Sequence, residues 1–284
     1  MKFNPTSLIQ PNDIPLDIRS DRVFKAVFTT EAPESRGALS NLVSTLIGKD
    51  VKIETIWANE EPVRDHGDRK LRYDINCRAK DGERINVEMS FDPKPYEPVR
   101  LEYHTGRLFT SQEISGEKDY NDLKRTFQIA ILAQHRFFRD KEFFHTFEYF
   151  DPVRGVSLNG RTKIITLELI KTKWLDNKSL EDMDSSEFWV FFFQNLTDES
   201  KRDKINEIIK RERGIAMASQ VLMSISRSEE ECMRLLGEEK YLLDRQSELA
   251  YERKQGKREE RQEILKMIKQ GLSVEELERE LLEA

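Results

Sequence analysis

The stretch from Lys70 to Phe91, K-L-R-Y-D-I-N-C-R-A-K-D-G-E-R-I-N-V-E-M-S-F, constrains the fold more tightly than any other. Leu71, Tyr73, Ile75, Cys77 and Ala79 fall on odd positions, as do Ile85, Val87, Met89 and Phe91. Arg72, Asp74, Asn76, Arg78, Arg84, Asn86, Glu88 and Ser90 fall on even ones. This alternation predicts two strands joined by a turn at Asp81-Gly82. A two-residue loop would pair Ile75 with Glu88 and mix the apolar and polar faces. A three-residue loop, Lys80-Asp81-Gly82, ends with glycine in the left-handed position such loops favour. It pairs Ala79 with Glu83, keeps both apolar sets on one face and sets Asp74 opposite Glu88.

That register has a chemical consequence. Directly opposed residues have β-carbons roughly 4.5–5.5 Å apart, where like charges destabilise a sheet. Two facing carboxylates therefore need a cation, a shared proton or nearby arginines. A hard divalent metal held by carboxylate oxygens meets the need. The alternative is that Arg72, Arg78 and Arg84 neutralise the pair on a solvated sheet face.

Composition narrows the functional classes. The 284 residues suffice for one large domain or a core with an appendage. A formal net charge of −6 argues against indiscriminate nucleic-acid binding, although a local basic patch remains compatible with it. Cys77 and Cys232 stand far apart without metal-ligand spacing, which suits a reducing cytoplasm. The N-terminal M-K-F-N-P-T-S-L-I-Q-P carries no long apolar run, and no segment approaches membrane-spanning length, so a soluble cytoplasmic protein is expected. The four histidines lack paired spacing, and there is no P-loop, no dinucleotide fingerprint and no nucleophile elbow. No nucleotide cofactor and no membrane partner are expected, and the acidic pair is left as the candidate chemistry.

Around the hairpin, periodicity predicts helices over 21–28 and 34–47, the second stopped by Gly48, then a strand over 51–57. A helix is expected over 97–114, with Gly106 permitting close packing on the sheet, then strands over 126–132, 143–150 and 163–170. Beyond Trp174 the chain reads as helical: an aromatic-rich helix over 186–196, then a capping box at Ser228 opening a long, densely charged run. Gly271 and a second capping box at Ser273 shape the tail. The architecture is mixed α/β layers, with a core over 1–175 and a helical region over 176–284.

Several of these strings resemble a known family when taken in order. S-D-R-V-F-K-A-V-F from Ser20 resembles the D-x-x-F-K-x-x-F opening of the PD-(D/E)XK nuclease family transposases, the recombination-promoting nuclease group. K-L-R-Y-D-I, D-G-E-R-I-N-V-E-M-S, V-R-L-E-Y-H-T-G-R-L-F and G-E-K-D-Y follow in the family's order over about residues 18–175. The charged helical tail, with I-K-Q-G-L-S-V-E-E-L, follows more loosely.

The resemblance implies a restriction-endonuclease-like core, a mixed central sheet flanked by helices, that cleaves DNA with Mg²⁺ or Mn²⁺. By position it makes Asp74 and Glu88 the metal carboxylates and Met89 a further ligand through its backbone carbonyl. Ser90 stands where the superfamily has Lys and this group usually Gln, a residue that helps position the attacking water or stabilise developing charge. Lys25, Lys70 and Arg100 match basic positions that contact DNA, and Tyr103 and Tyr120 also match family positions. Ser90 keeps a second reading open: a core that has lost turnover and serves binding or assembly, unless Lys25 or Lys94 takes its place. Homo-oligomerisation through the C-terminal helices is a third, although apolar heptads after residue 228 are patchy.

Overall fold

The computed structural model describes residues 5–57, 74–112, 119–158 and 160–269. The hairpin lies where alternation places it. Strands β2 (Ile75–Ala79) and β3 (Arg84–Ser90) pair antiparallel with Ile75 opposite Val87 and Cys77 opposite Ile85. The Ala79 N–H donates to Glu83 O at 3.0 Å and the Gly82 N–H to Ala79 O at 2.9 Å, closing the three-residue loop. Gly82 adopts φ 90°, a left-handed conformation that side chains resist. Continued by one rung, this register sets Asp74 opposite Glu88.

The strand β1 (Ile53–Trp57) lies at one edge, antiparallel to β2. On the other side β3 pairs in parallel with β4 (Thr126–Leu132), and β4 in parallel with a later strand, Thr162–Glu168. Strand β5 (Phe144–Phe147) closes the far edge, antiparallel to that strand. Between them β6 (Phe150–Asp151) and β7 (Val156–Ser157) form a small separate hairpin. With Thr162–Glu168 as β8, the six-stranded order is β1-β2-β3-β4-β8-β5. Every residue of β4 is buried, as a central parallel strand requires.

Helices cover both faces. Helix α1 (Asp21–Thr29) and helix α2 (Pro33–Ile47) pack over the odd-numbered face, burying Val23, Phe24, Val27 and Phe28 with Leu39, Leu42 and Val43. Helix α3 (Glu97–Thr110) lies across the even-numbered face, where Leu101 joins Ala130 and Leu132. Around Glu88 the even face is therefore not a solvated surface. Asn86, Glu88, Gln128 and Thr166 are all at most 1% exposed, because α3 covers them. Gly106 does not serve close packing either, since a β-carbon there would meet nothing within 4 Å.

After β8 the aromatic-rich helix α4 (Ser185–Asn195) is capped by Asp184 and buries Trp189, Phe191, Phe192 and Phe193 completely. The Trp189 indole donates to Asn41 Oδ1 at 3.0 Å, fastening α4 to α2. Helices α5 (Arg202–Arg211) and α6 (Arg213–Arg227) complete this layer. Gly214 makes the approach to α2 possible, for a β-carbon there would stand 2.0 Å from Asn41 Oδ1. The N-terminal lead-in is tied down by the far end of this layer. Ser219 donates to Ser7 O at 2.6 Å, and Arg227 donates to Thr6 O and Leu8 O at 3.0 Å each and pairs with Asp13.

Residues 1–232 form one compact unit and residues 233–284 another. The compositional shift near Trp174 marks where strands give way to helices, while α4–α6 belong to the first unit. Helix α7 (Glu229–Lys269) opens as the capping box predicts, Ser228 Oγ accepting the Glu231 N–H at 3.3 Å. Gly271 and the second capping box lie outside the described residues. Among the described residues no helix is long and apolar enough to cross a membrane.

Candidate active site

Four elements converge on the carboxylate rung. Residue 74 leads into β2, Glu88 sits near the end of β3, α1 brings Asp21 and Lys25 from one side, and α3 brings Glu97, Arg100 and His104 from the other. In α1, Asp21 and Lys25 are four residues apart and therefore share a helix face. The Lys25 ammonium bridges Asp21 Oδ1 at 2.9 Å and Asp74 Oδ1 at 3.1 Å. The other Asp74 oxygen accepts the Met89 backbone N–H at 3.2 Å, which locks the carboxylate against β3.

Glu88 has its own set of partners. Arg100 Nη2 lies 3.0 Å from Glu88 Oε1 and is also paired with Glu97, whose Oε1 accepts Arg100 Nε at 3.1 Å. His104 Nδ1 lies 3.8 Å from Glu88 Oε2. Behind Glu88 along the face, the Asn86 amide donates to Gln128 Oε1 at 3.0 Å, a buried polar pair between adjacent parallel strands.

The electrostatics follow from burial with incomplete compensation. Desolvation first, then the Asp21 charge, pushes the Asp74 carboxyl up to about 6 against the pull of Lys25 and the Met89 N–H. Glu88 is pushed up to about 8 by burial, with Arg100 opposing and Asp74 and Glu97 adding to the rise. Burial and then the Arg100 charge drive His104 down to about 4, so its imidazole is neutral at physiological pH. Burial works against the Lys25 ammonium, but Asp74 and Asp21 hold its pKa above the ordinary value. Lys25 is thus a fixed cation and not a base.

Of the residues singled out in the sequence, Asp74, Glu88, Met89, Lys25 and Arg100 come together here. Ser90 follows on β3, opposite Leu132. Lys70 lies outside the described residues. Lys94 is half exposed and paired with Asp92. Tyr103 and Tyr120 are exposed, 57% and 79%. Lys25 and Arg100, expected at DNA phosphates, bind the carboxylates themselves. Asp21, Glu97, His104 and Gln128 were not anticipated as site residues. Asp21 and His104 lie within strings that resemble the family, D-x-x-F-K and V-R-L-E-Y-H-T-G-R-L-F, while Glu97 and Gln128 carry no such signal.

The donor set suits a hard divalent cation. A buried and a partly buried carboxylate facing one another, both shifted toward the neutral acid by desolvation, would be relieved by a cation between them. Among the described residues no three or more His, Cys, Asp or Glu side chains form a metal cage. A cation that retains several waters needs only one or two carboxylates. A separate cavity of about 720 Å³ between α2 and α5–α6 includes none of these residues.

Comparison with known proteins covers most of the chain. A family model described as PD-(D/E)XK nuclease family transposase matches residues 18–252. No curated protein and no solved structure matches.

Proposed function

The chain belongs to the PD-(D/E)XK nuclease family transposases, and from that premise we propose that it is a metal-dependent DNA endonuclease whose active site is the Asp74–Glu88 rung. The observation that carries this reading is the Lys25 ammonium, held 3.1 Å from Asp74 on the carboxylate rung. In this reading Lys25 would answer the departure at Ser90, while Lys94 is tied to Asp92.

In this reading Asp74, Glu88 and the Met89 carbonyl would hold Mg²⁺ or Mn²⁺. When bound, the metal supplies Lewis-acid polarisation of the scissile phosphate and a more acidic water. Asp74 is oriented by the Met89 N–H, so its free lone pairs are aimed by the strand rather than by a rotamer choice. Lys25, kept protonated by two carboxylates, places fixed positive charge where the phosphorane gains negative charge. Arg100 offsets the Glu88 charge and is itself anchored by Glu97, so it keeps its position whichever way the Glu88 carboxylate turns. Neutral His104 lines the Glu88 side without adding charge. The nuclease chemistry belongs to residues 1–175, followed by the helical region 176–284, whose α7 would serve assembly, in a cytoplasmic protein acting in transposition or recombination.

A binding module without turnover is the second reading. The observation favouring it is that Lys25 and Arg100 already neutralise the two carboxylates. Cleavage of supercoiled and linear DNA with Mg²⁺, Mn²⁺ or EDTA separates the two, comparing wild type with Asp74→Ala and Glu88→Ala. Nicking that requires metal and falls at least 100-fold in both variants supports the nuclease. DNA binding by a wild type that never cuts supports the module.

A further inference from the structure

The edge strand contains a correction to its own register. Ile53 pairs with Ala79, but Thr55 pairs with Arg78, Ile56 with Cys77 and Trp57 with Asn76. Glu54 is therefore an extra residue, a β-bulge, and it inverts the face of everything after it. Without it Trp57 would fall on the apolar face with Ile75. With it, Trp57 falls on the face of Arg78, Arg84 and Glu88.

On that face the indole meets two guanidiniums. Arg84 lies 4.8 Å and Arg78 5.7 Å from the Trp57 ring centroid. Arg78 and Arg84 are themselves directly opposed across β2 and β3. Like charges so placed destabilise a hairpin unless something answers them. Glu54 answers Arg78 at 3.0 Å, and Thr55 Oγ1 accepts from it at 3.3 Å. Among the described residues no carboxylate pairs with Arg84. Burial, and then the Arg78 charge, lower the Arg84 pKa. Both arginines and Trp57 are partly exposed.

We propose that Trp57, Arg78 and Arg84 form a phosphate clamp for the DNA strand presented to Glu88. The inference rests on the nuclease reading and adds the place where the substrate backbone is held. Arg84 stands four residues before Glu88 on β3, about 13 Å along the strand at roughly 3.3 Å per residue. That spans a few nucleotides, at about 3.4 Å of rise per phosphate in one strand of a duplex. The indole fixes both guanidinium forks before the substrate arrives, by cation–π contact. A phosphate between them takes paired N–H donors and removes the repulsion across the rung. The bulge is what makes this possible, since it alone turns the indole to the carboxylate face.

The test is binding of a labelled duplex by the full chain in EDTA, followed by fluorescence anisotropy from 50 to 300 mM KCl. Wild type is compared with Arg78→Gln, Arg84→Gln, the double variant, Trp57→Leu and Arg84→Lys, with Arg154→Gln on the β6–β7 hairpin as control. One lost phosphate contact lowers the slope of log K against log salt by about 0.9. The double variant should lose about that much slope and bind roughly tenfold more weakly at low salt. Trp57→Leu should weaken binding with the slope kept, and Arg84→Lys should do the same to a smaller degree. Melting curves matching wild type establish that the variants fold. Cleavage by wild type in Mg²⁺ is scored separately. If wild type cuts and binds but the double variant keeps the full slope, the clamp is overturned and the nuclease stands. If the slope falls but wild type never cuts, the clamp stands without the nuclease. If wild type does not bind DNA at any salt, both are wrong.

Discussion

Glu88→Gln should make the metal-free protein more stable, and increasingly so as the pH rises. Glu88 is 1% exposed and its carboxyl is pushed up to about 8 by burial, from an ordinary value near 4.5. A group whose folded pKa lies above its unfolded pKa gives its full stability below the unfolded value. That contribution is lost as pH rises toward the folded value. For Glu88 the descent runs from about pH 4.5 to about pH 8 and levels off above. Each pH unit in that window costs about 1.4 kcal/mol, so by pH 7 wild type has lost about 3 kcal/mol as an upper bound. Local relaxation and water entry reduce this, and about 1–3 kcal/mol is the expected gain for the glutamine variant at pH 7. Arg100 is not orphaned by the change, because Glu97 still accepts from it. The assay is urea unfolding in EDTA at pH 5, 7 and 8.5, with the two proteins close at pH 5 and diverging above. Adding Mg²⁺ should narrow the gap by stabilising wild type alone, through binding that favours the folded state. A stability difference that stays flat from pH 5 to 8.5, or a variant less stable at pH 8.5, would refute the argument that Glu88 is held at an electrostatic cost.

Three other outcomes are expected. Gly214→Ala should destabilise the first unit by about 1–3 kcal/mol, because its β-carbon would stand 2.0 Å from an Asn41 side chain already fixed by Trp189 and Glu212. A drop in melting temperature with loss of native tryptophan fluorescence would report it. The hydrogen bond from Arg227 holds the Asp13 carboxyl below its ordinary value. The stability it lends is therefore present above the unfolded pKa near 3.8 and lost as pH falls through the lower folded value. Asp13→Asn should accordingly show a shallower acid loss below pH 4 in urea midpoints, and an unchanged slope would count against the tie. Cys77 is fully buried with its thiol pushed up to about 12, so a thiol reagent at pH 8 should titrate Cys232 alone until the protein is denatured.

Much of this site was legible because a hairpin is a short-range object. Odd–even alternation plus Gly82 was enough to place Asp74 against Glu88, and the observed pairing of β2 with β3 has that register. The helix starts and stops around α2, α4 and α7 were equally local. What was not legible depends on distance in the chain or on what covers a face. Nothing near Asn86 announces that α3 will bury it, and its polarity is equally compatible with solvent. Lys25 and Arg100 carried the right charge for phosphate, yet their partners lie in other elements, and packing brought each one to a carboxylate. The bulge at Glu54 left no mark in β1, whose residues read as a regular strand.

The tie between the N-terminal lead-in and α6 sets an order of events during synthesis. Asp13 and Arg227 are 214 positions apart, so the residues around Asp13 wait for nearly the last of their unit. At roughly 5–20 residues per second that wait lasts about 10–40 s. The hairpin bearing Asp74 and Glu88 emerges early in it, well before Ser219 and Arg227 can fasten residues 6–13. A ribosome that stalls short of α6 therefore releases a chain that holds both carboxylates but lacks the helix that secures residues 6–13.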